Sequence, residues 1–420
     1  MSLRNFTIGY GREQKQFAID ERNLILDVKA HEPDIQIDEE KEILRALAEP
    51  IGAPPVDEVV FPGESVVIIT SDITRPCPSD VILPPLIRTL NEAGIRDEDI
   101  TVVFAVGSHR RHTDEEMRRM VGDDVYSRVH TVDSDTEDTV FLGTTSRGTP
   151  VNIFSTVAQA DRRICVGNIE FHYFAGYSGG GKAIMPGVSE RNAIQANHSR
   201  MVEETSKAGA IEGNQVRLDI EEAVDICGCD YILNVVLNED KKVVKAVAGD
   251  HREAHRVGCQ FLDEMYKVRL PRLADIVIAT PGGYPKDINL YQTQKSLDNA
   301  KHAVRPGGII ILVGQCPEGL GEHVFEEWLL AAEKPADLIT RVKQEFRLGG
   351  HKAVAIAMVL EKADIFFVSD MPAEEAAKAF MTPYNDLGQA IRDAFARLGP
   401  DAGVIVMSHA GSTLPYLPAD

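Results

Sequence analysis

The sequence predicts an α/β protein built as two α/β domains with mostly parallel sheets. Short apolar runs recur along the chain, and each ends in a polar or glycine-rich loop that precedes a helical pattern. This alternation is typical of parallel strands joined by helices. The length of 420 residues is too great for one small core, and a content of 44% hydrophobic and 26% charged residues is that of an ordinary globular protein.

The elements follow one another in a regular order. The predicted strands cover residues 65–70, 101–106, 163–167, 276–280, 309–313, 364–368 and 403–407. The sequence from Thr113 to Glu116 is a capping box at a helix start, and Ser189 is a good N-cap for a helix that carries His198. Residues 233–247 are expected to form a hairpin around residues 238–241. A domain break is expected near residues 266–271, where one helix ends and a new series begins.

Charge and cysteine content exclude several classes of function. The formal net charge of −21 argues against nucleic acid as a partner, because such a surface repels polyanions. No apolar run approaches the roughly 20 residues of a membrane span, and the N-terminus lacks the apolar region of a signal peptide. These features predict a cytoplasmic protein without a membrane partner. Among the six cysteines only Cys227 and Cys229 are close in sequence, and we expect them to form a reduced, structural pair.

The segment from His172 to Lys182 concentrates the chemistry of the chain. Its three adjacent glycines, followed by a lysine, would place backbone N–H groups beside an ammonium, which suits a phosphate. Residues 176–182 also fit half of a P-loop, but Ala183 stands where that motif needs a Mg²⁺-binding hydroxyl. Lys182 could therefore hold a phosphate or serve as a covalent attachment point, because desolvated lysines become nucleophilic.

Further polar residues follow the predicted strands, at the sheet edge where ligands bind in parallel sheets. Asp72, Thr74 and Arg75 come directly after the first of these strands, and Arg75 could grip a carboxylate or phosphate with two donors. His109 and His112 follow the next strand. They could bind a metal as a pair, or His109 could lie in the site while His112 lies at the helix start, and the second interpretation is favoured.

A second group of polar residues lies in the C-terminal half of the chain. Tyr291 is expected to open a helix after a glycine- and proline-rich loop. Gln292 and Lys295 are three residues apart and so share a helix face. Their position predicts either a contribution to the site or a solvated helix start.

Taken together, these residues resemble the lactate racemase family, the nickel-pincer-nucleotide racemases and epimerases of 2-hydroxy acids. The resemblance covers nearly the whole chain and rests on five separated motifs, at residues 71–76, 107–110, 172–182 and 197–199 and at Tyr291-Gln292 with Lys295. It implies two α/β domains joined by hinges, with the active site in the cleft between them. The implied domains are residues 1–265 plus about 386–420, which bind the cofactor, and residues 271–380. The strand at 403–407 would return to the first domain.

The resemblance also implies roles for individual residues. Lys182 would carry the nickel-pincer nucleotide, a nickel-bound pyridinium-3-thioamide-5-thiocarboxylic acid mononucleotide, through a covalent thioamide bond. His198 would bind the nickel, and His109 and His172 would be the acid/base pair. The residues implied in substrate binding are Arg75, Gln292, Lys295 and His351. Those implied in binding the cofactor or supporting its site are Asp72, Thr74, Gly179, Gly180, Gly181 and Tyr291.

The expected activity is racemisation or epimerisation of a 2-hydroxy acid by reversible hydride transfer from C2, through a 2-keto acid. The expected partners are that substrate and cofactor-biosynthesis proteins. The chain departs from lactate racemases proper in one loop, where His351 replaces a tryptophan that lies over the substrate. This replacement predicts a substrate that is larger or more oxygenated than lactate. The competing hypotheses are a P-loop-like ATPase and a non-catalytic nucleotide- or cofactor-binding protein.

Overall fold

The computed structural model describes residues 2–31, 37–107 and 109–418, so Ser108 of the 107–110 motif lies outside the described residues. The strands are β1 (Leu3–Tyr10), β2 (Glu13–Asp20), β3 (Leu24–Val28), β4 (Val66–Ser71), β5 (Ile100–Ala105), β6 (His130–Asp133), β7 (Thr139–Thr144), β8 (Pro150–Phe154), β9 (Arg162–Asn168), β10 (Phe171–His172), β11 (Gly176–Tyr177), β12 (Tyr231–Leu237), β13 (Val243–Gly249), β14 (Lys267–Arg269), β15 (Ala274–Ala279), β16 (Val304–Val313), β17 (Ala363–Val368), β18 (Thr382–Tyr384), β19 (Val404–Met407) and β20 (Leu414–Tyr416).

Helices connect these strands along the chain. They are α1 (Glu39–Ala48), α2 (Val56–Val59), α3 (Ser79–Glu92), α4 (Asp114–Val121), α5 (Asp123–Arg128), α6 (Ser155–Gln159), α7 (Arg191–His198), α8 (Gln215–Cys227), α9 (Glu253–Tyr266), α10 (Leu290–Thr293), α11 (Lys295–Ala300), α12 (His323–Ala331), α13 (Pro335–Gln344), α14 (Gly350–Leu360), α15 (Ala373–Lys378) and α16 (Leu387–Leu398). Within the described residues, no helix is long and apolar enough to cross a membrane. The predicted α/β class is confirmed.

The chain divides into two compact units. One unit consists of Glu32–Glu264, and the other combines Met1–His31 with Met265–Asp420. They are called here the 32–264 unit and the 265–420 unit. This division differs from the expected domains, because residues 2–31 belong with the C-terminal part of the chain and residues 386–420 stay with that part as well.

The 32–264 unit is built on a six-stranded sheet in the order β13-β12-β9-β4-β5-β6. All neighbours in it are parallel except β12 and β13, which form the predicted hairpin. Its strands are mostly buried apart from the edge strand β6, and apolar side chains such as Ile68, Ile164 and Leu233 form the core. The chain runs outward from β4 to β6 and then resumes on the other side at β9. The direction of the sheet therefore reverses between β4 and β9.

The 265–420 unit contains a second six-stranded sheet, in the order β18-β17-β16-β15-β19-β3, and all its strands are parallel. The last of the predicted strands, β19, pairs with β15 on one side and β3 on the other. The expected return of residues 403–407 to the first domain is therefore wrong. The segment that crosses over is β3, because β19 is buried throughout and needs a hydrogen-bonded neighbour on both edges.

Helix starts follow the predicted capping in one case and depart from it in another. Thr113 and Glu116 form the complete capping box at the start of α4. The helix that carries His198 begins at Arg191 and has Glu190 at its N-cap position. The predicted cap at Ser189 is therefore wrong, and the Ser189 hydroxyl instead donates to the carbonyl of Ile184 at 2.8 Å.

A cavity at the centre of the second sheet should lower the free energy of unfolding strongly. Ile311 lies in β16 and is completely buried. Ile311→Ala should lower the free energy of unfolding by about 2–5 kcal/mol, since the lost methyl and methylene groups leave a void. Urea-induced unfolding followed by circular dichroism measures this change. Leu330→Ala, at a side chain that is 50% exposed on α12, is the matched control and should shift the midpoint little. Equal midpoints for the two variants would contradict the assigned core.

Candidate active site

The candidate residues of the 32–264 unit follow strands β4, β5 and β9. These strands are neighbours in the sheet, and the strand order reverses between β4 and β9. In open parallel sheets a crevice forms at the carboxyl ends of the strands at such a reversal. Asp72 follows β4, His109 follows β5 and His172 follows β9. The fold therefore directs all three loops to the edge where ligands bind.

His109 is oriented by a buried carboxylate. Its Nδ1 lies 2.6 Å from Asp72 Oδ2, so Nδ1 carries the proton and Nε2 keeps the lone pair. The Thr74 hydroxyl donates to both oxygens of Asp72 at 2.9 and 3.0 Å. Burial opposes ionisation of Asp72, but the hydrogen bonds from His109 and Thr74 and the charge of Arg75 outweigh it and hold its pKa below the usual range. The Asp72–His109 pair thus has the hydrogen-bond geometry that a carboxylate-oriented base requires.

His112 is not part of this pair. Its ring is completely buried, Nδ1 donates to Asp133 Oδ1 at 2.6 Å, and Nε2 accepts from the backbone N–H of Ile73 at 3.0 Å. Both ring nitrogens are therefore engaged, which excludes His112 as a ligand paired with His109. Its contact with Ile73 fixes the backbone directly after Asp72. The interpretation that only His109 faces the site agrees with this geometry.

His172 has a different electrostatic environment. Its Nδ1 accepts from the backbone N–H of Ala175 at 3.3 Å, and its ring packs edge-on against Phe174 with centroids 4.5 Å apart. Burial is the main cause that lowers the pKa of His172 well below its usual value, and the charges of Lys182 and Arg75 lower it further. His172 is therefore neutral at physiological pH, whereas His109 has a carboxylate partner.

The three glycines before Lys182 are required by packing. Gly179 has a φ of 73°, and a Cβ there would lie 2.8 Å from Asn234 Oδ1. A Cβ on Gly180 would lie 3.0 Å from the His255 ring, and one on Gly181 would lie 2.5 Å from Val224 Cγ2. Contacts this short leave no room for a side chain. The glycine turn, residues 179–181, therefore fits closely against β12, α8 and α9.

The backbone N–H groups of this turn are largely committed within the protein. Gly180 N–H donates to Asn234 Oδ1 at 2.6 Å, and Lys182 N–H is directed at Gly179 O at 3.3 Å. The segment from Gly180 to Ala183 is a short 3₁₀ turn rather than the start of an α-helix. The expectation that bare N–H groups of this loop cradle a phosphate is wrong for Gly180, and the geometry does not support a P-loop. The side-chain nitrogen Nδ2 of Asn234 is buried without a hydrogen-bond partner among the described residues.

Lys182 extends from the turn with its ammonium 5.9 Å from the centre of the Phe174 ring. Among the described residues, no carboxylate lies within ion-pair distance of its Nζ. Burial is the main cause that lowers the pKa of Lys182 well below its usual value, and the charges of Arg217 and Arg75 act in the same direction, against Glu170. This environment favours a neutral, nucleophilic amine.

His198 ends α7 and is held by a buried hydrogen-bond chain. Its Nδ1 lies 3.0 Å from Asn197 Oδ1, while Asn197 Nδ2 donates to Asp219 Oδ2 at 2.8 Å. The hydroxyls of Thr145 and Thr149 donate to the same carboxylate at 2.6 and 2.7 Å. The chain fixes the amide so that its oxygen accepts from His198 Nδ1, which makes Nε2 the lone-pair donor of the ring. A metal-binding histidine needs this arrangement.

Arg75 is partly exposed and weakly paired. The distance from its Nη1 to Glu170 Oε1 is 3.9 Å, and both side chains are about 40% exposed. After the larger effect of burial, the positive charge of Arg75 lowers the pKa of both His172 and Lys182. A guanidinium with so loose a partner can exchange it for an anionic ligand.

The remaining candidates lie in the 265–420 unit. Asn289 Oδ1 caps the short helix α10, which carries Tyr291 and Gln292, and Lys295 begins α11. Lys352 was not predicted; its Nζ lies 3.6 Å from the centre of the Tyr291 ring and donates to the Tyr291 carbonyl at 2.8 Å. Lys352 thereby ties the start of α14 to the helix that holds the candidates.

His351 and Asp298 are buried neighbours of these elements. His351 lies in the first turn of α14, its Nδ1 accepts from Gly349 N–H at 3.1 Å, and its ring lies 5.4 Å from that of Phe346. Burial raises the pKa of Asp298 despite the nearby charges of Lys352 and Lys295. Tertiary packing places both residues, and no local sequence motif predicts their burial.

The cysteines do not form a metal site. All six are free thiols, and within the described residues no group of three or more His, Cys, Asp or Glu side chains could hold a metal ion. Cys227 and Cys229 are both free thiols, in agreement with the expected reduced pair. Cys229 also lies 3.6 Å from Cys165, in a contact between strand β9 and the turn before β12.

Sequence reasoning missed three buried polar residues of the 32–264 unit. Asn234 holds the glycine turn, Arg217 binds the carbonyls of Ala175 and Tyr177, and Asp219 anchors the support of His198. Each comes from an element distant in sequence. The available signal was the presence of a polar residue among apolar ones in β12 and α8.

Known proteins resemble this chain over almost all of its length. Residues 10–209 match the family model described as the lactate racemase N-terminal domain, and residues 271–414 match the lactate racemase C-terminal domain. The lactate racemase of Thermoanaerobacterium thermosaccharolyticum is 32% identical over 98% of this chain and 99% of its own length. The lactate racemase of Lactiplantibacillus plantarum is 34% identical over 89% of this chain and 90% of its own.

Solved structures agree with these matches. The structure of the lactate racemase apoprotein from T. thermosaccharolyticum has a TM-score of 0.90 and 31% identity, and the match covers 98% of this chain and 100% of that one. A crystal structure of a protein from Thermotoga maritima, at 16% identity, has a TM-score of 0.66 over 91% of this chain and shares the fold. Identity above 30% across nearly complete chains establishes common membership, so the resemblance predicted from the motifs is confirmed. The chain belongs to the lactate racemase family and is an isomerase of the racemase type.

Proposed function

We propose that the chain racemises or epimerises a 2-hydroxy acid by reversible hydride transfer from C2, with His109 and His172 as the acid/base pair. The observation that carries this proposal is the contrast between the two histidines. His109 has Asp72 at its Nδ1, whereas His172 is kept neutral by burial and by the cations around it. Two bases in unlike settings suit a substrate whose enantiomers present the hydroxyl group in two different directions.

The chemistry explains why two bases are needed. Loss of the C2 hydrogen as a proton would leave a poorly stabilised carbanion. If the hydrogen leaves as hydride while a histidine takes the hydroxyl proton, the substrate is oxidised by two electrons to a planar 2-keto acid. Return of hydride to either face of that keto acid, with a proton from a histidine to its oxygen, gives either configuration at C2.

The residues fit the nickel-pincer nucleotide. Lys182 offers an amine whose environment favours the neutral form, and His198 offers Nε2 as a single, oriented metal donor. One protein ligand would be enough, because the nucleotide would supply the remaining donors to the nickel. When bound, the group supplies the hydride acceptor that no side chain provides. We propose Lys182 as the covalent attachment point, and Thr74, residues 179–181 and Tyr291 as the surroundings of the cofactor.

We also propose which residues hold the substrate. Arg75 would grip the carboxylate in place of its long contact with Glu170, and Gln292 and Lys295 would complete the set for the carboxylate and hydroxyl. Cofactor-biosynthesis proteins would supply the nucleotide. A cytoplasmic location is consistent with six free thiols.

Loss of either base should abolish turnover. His109→Ala and His172→Ala should each reduce racemisation in both directions by at least about 10²-fold, because each configuration needs a base on its own side. Chiral chromatography of cofactor-loaded protein measures the rates, and deuterium placed at C2 should be retained in the product. His130→Ala, at an exposed histidine of β6, is the control and should remain active. Full activity of either base variant would refute the assignment.

Covalent attachment has its own test. Lys182→Ala should fold but carry no covalent nucleotide after loading, because no other amine replaces the one on the glycine turn. Intact-mass spectrometry reads the adduct directly. Lys207→Ala changes an exposed lysine of the same unit and should keep the adduct. An adduct on the Lys182 variant would exclude Lys182 as the carrier.

We expect the side chain at position 351 to influence which 2-hydroxy acid is preferred. A histidine in the first turn of α14 offers polar atoms where lactate racemases proper have a tryptophan, so we expect more oxygenated acids to be preferred over lactate. A chiral screen of malate, hydroxyglutarate, phenyllactate, sugar acids and lactate measures kcat/KM for each. His351→Trp should shift the preference toward lactate. A wild-type protein that prefers lactate above all others would contradict this expectation.

A further inference from the structure

Arg217 is a completely buried cation whose hydrogen-bond acceptors, among the described residues, are backbone carbonyls. It lies in the first turn of α8, where its Nε donates to the carbonyl of Ala175 at 3.2 Å and its Nη2 donates to that of Tyr177. In the part of the chain that the structure describes, no carboxylate lies within ion-pair distance of its guanidinium. Glu221, one turn along the helix, is bound at 2.6 Å by Arg256 instead.

Such a residue is costly for the fold. Burial lowers the pKa of Arg217, but a guanidinium stays charged at neutral pH because its ordinary pKa is so high. A buried charge whose only partners are neutral carbonyls loses more hydration than those hydrogen bonds return. An apolar side chain would serve packing better. The charge itself therefore calls for an explanation beyond packing.

The charge acts on the lysine of the glycine turn. Arg217 is the strongest charge effect that lowers the pKa of Lys182; Arg75, after β4, acts in the same direction, and Glu170, after β9, opposes both. The pKa of His172 is lowered mainly by burial and then by the charges of Lys182, Arg75 and His198, with Arg217 making the smallest contribution. The two carbonyls that Arg217 binds lie in the segment between His172 and Lys182. One side chain thus fixes the backbone of this segment and sets its electrostatics.

We propose that Arg217 is a positioning residue for Lys182, because its guanidinium fastens the backbone carbonyls of Ala175 and Tyr177 in the segment that leads to Lys182. Its buried positive charge also acts on the Lys182 amine. The proposal rests on the proposed role of Lys182 as the attachment point. It assigns no contact of Arg217 with substrate or cofactor. Covalent attachment needs the unprotonated amine, because its lone pair would form the new C–N bond to the thiocarboxyl carbon while the C–O bond breaks and the oxygen leaves as water.

The test is competitive acetylation of the full-length chain without cofactor. Trace acetic anhydride is applied over a pH series, and peptide mass spectrometry compares Lys182 with the exposed Lys378 as internal standard. In the wild type, Lys182 should be acetylated at a lower pH than Lys378. In Arg217→Met, the midpoint of the Lys182 labelling profile should move to higher pH by about one unit, which is a ten-fold change in the acid dissociation constant.

Two further variants separate charge from folding. Arg163→Met is the matched control, because Arg163 also donates to backbone carbonyls of the same unit, at Val157, Ala160 and Gly228, but does not act on Lys182. Its labelling of Lys182 should equal that of the wild type. Arg217→Lys keeps the positive charge but lacks the planar guanidinium with its several donors. Lys182 should therefore still be acetylated at a lower pH than Lys378 in this variant. If Arg217→Met does not fold, the Lys182 labelling profile of Arg217→Lys tests the proposal.

The outcomes are distinct. A folded Arg217→Met with an unchanged Lys182 profile would overturn the proposal, as would a folded Arg217→Lys in which Lys182 labels no earlier than Lys378. A shifted profile in Arg217→Met, with Arg163→Met unchanged, supports it. Because labelling is read without cofactor, a failure of Lys182 to carry the nucleotide appears separately, in the intact mass of the loaded protein.

Discussion

The close packing of the glycine turn is the constraint on which the rest of the site depends. Residues 179–181 touch Asn234, His255 and Val224 so closely that no side chain fits, and Asn234 holds the Gly180 N–H at 2.6 Å. The turn therefore has one conformation, and Lys182 leaves it at one place. A lysine on a looser loop would reach water and stay protonated. Tight backbone packing thus sets both the position and the reactivity of the amine.

The same packing explains how the two histidines come to differ. His109 follows a strand end beside the buried carboxylate of Asp72, which is kept ionised by its hydrogen bonds. His172 lies on the other side of the strand-order reversal, near Lys182 and Arg75, where added positive charge is unfavourable. Neighbouring loops of one sheet therefore present one histidine with a carboxylate partner and one histidine close to positive charges. The reversal of strand order is what brings such unlike loops together.

Local sequence patterns predicted the elements and most candidate residues, but tertiary pairing could not be deduced from them. The apolar run at 403–407 indicates a buried strand, yet nothing in it specifies that its second neighbour is β3 from the N-terminal segment. The motif around His109 is readable because strand, loop and cap follow in sequence. Asn234 and Arg217 were missed because each acts on residues about 40 to 55 positions away. Their burial is visible only once the helices are packed on the sheet.

The distribution of candidates over the two units has a consequence for specificity. His109, His172, Lys182 and His198 all belong to the 32–264 unit, whereas the residues expected to contact the substrate beyond C2 belong largely to the 265–420 unit. Lys352 ties the first turn of α14 to the Tyr291 carbonyl, so a change at the adjacent position 351 alters a side chain without loosening that anchor. Substitution there leaves the Asp72–His109 pair and the glycine turn untouched. On the proposed assignment of His351, a change of side chain at this position would alter the substrate preference while the acid/base residues stay the same.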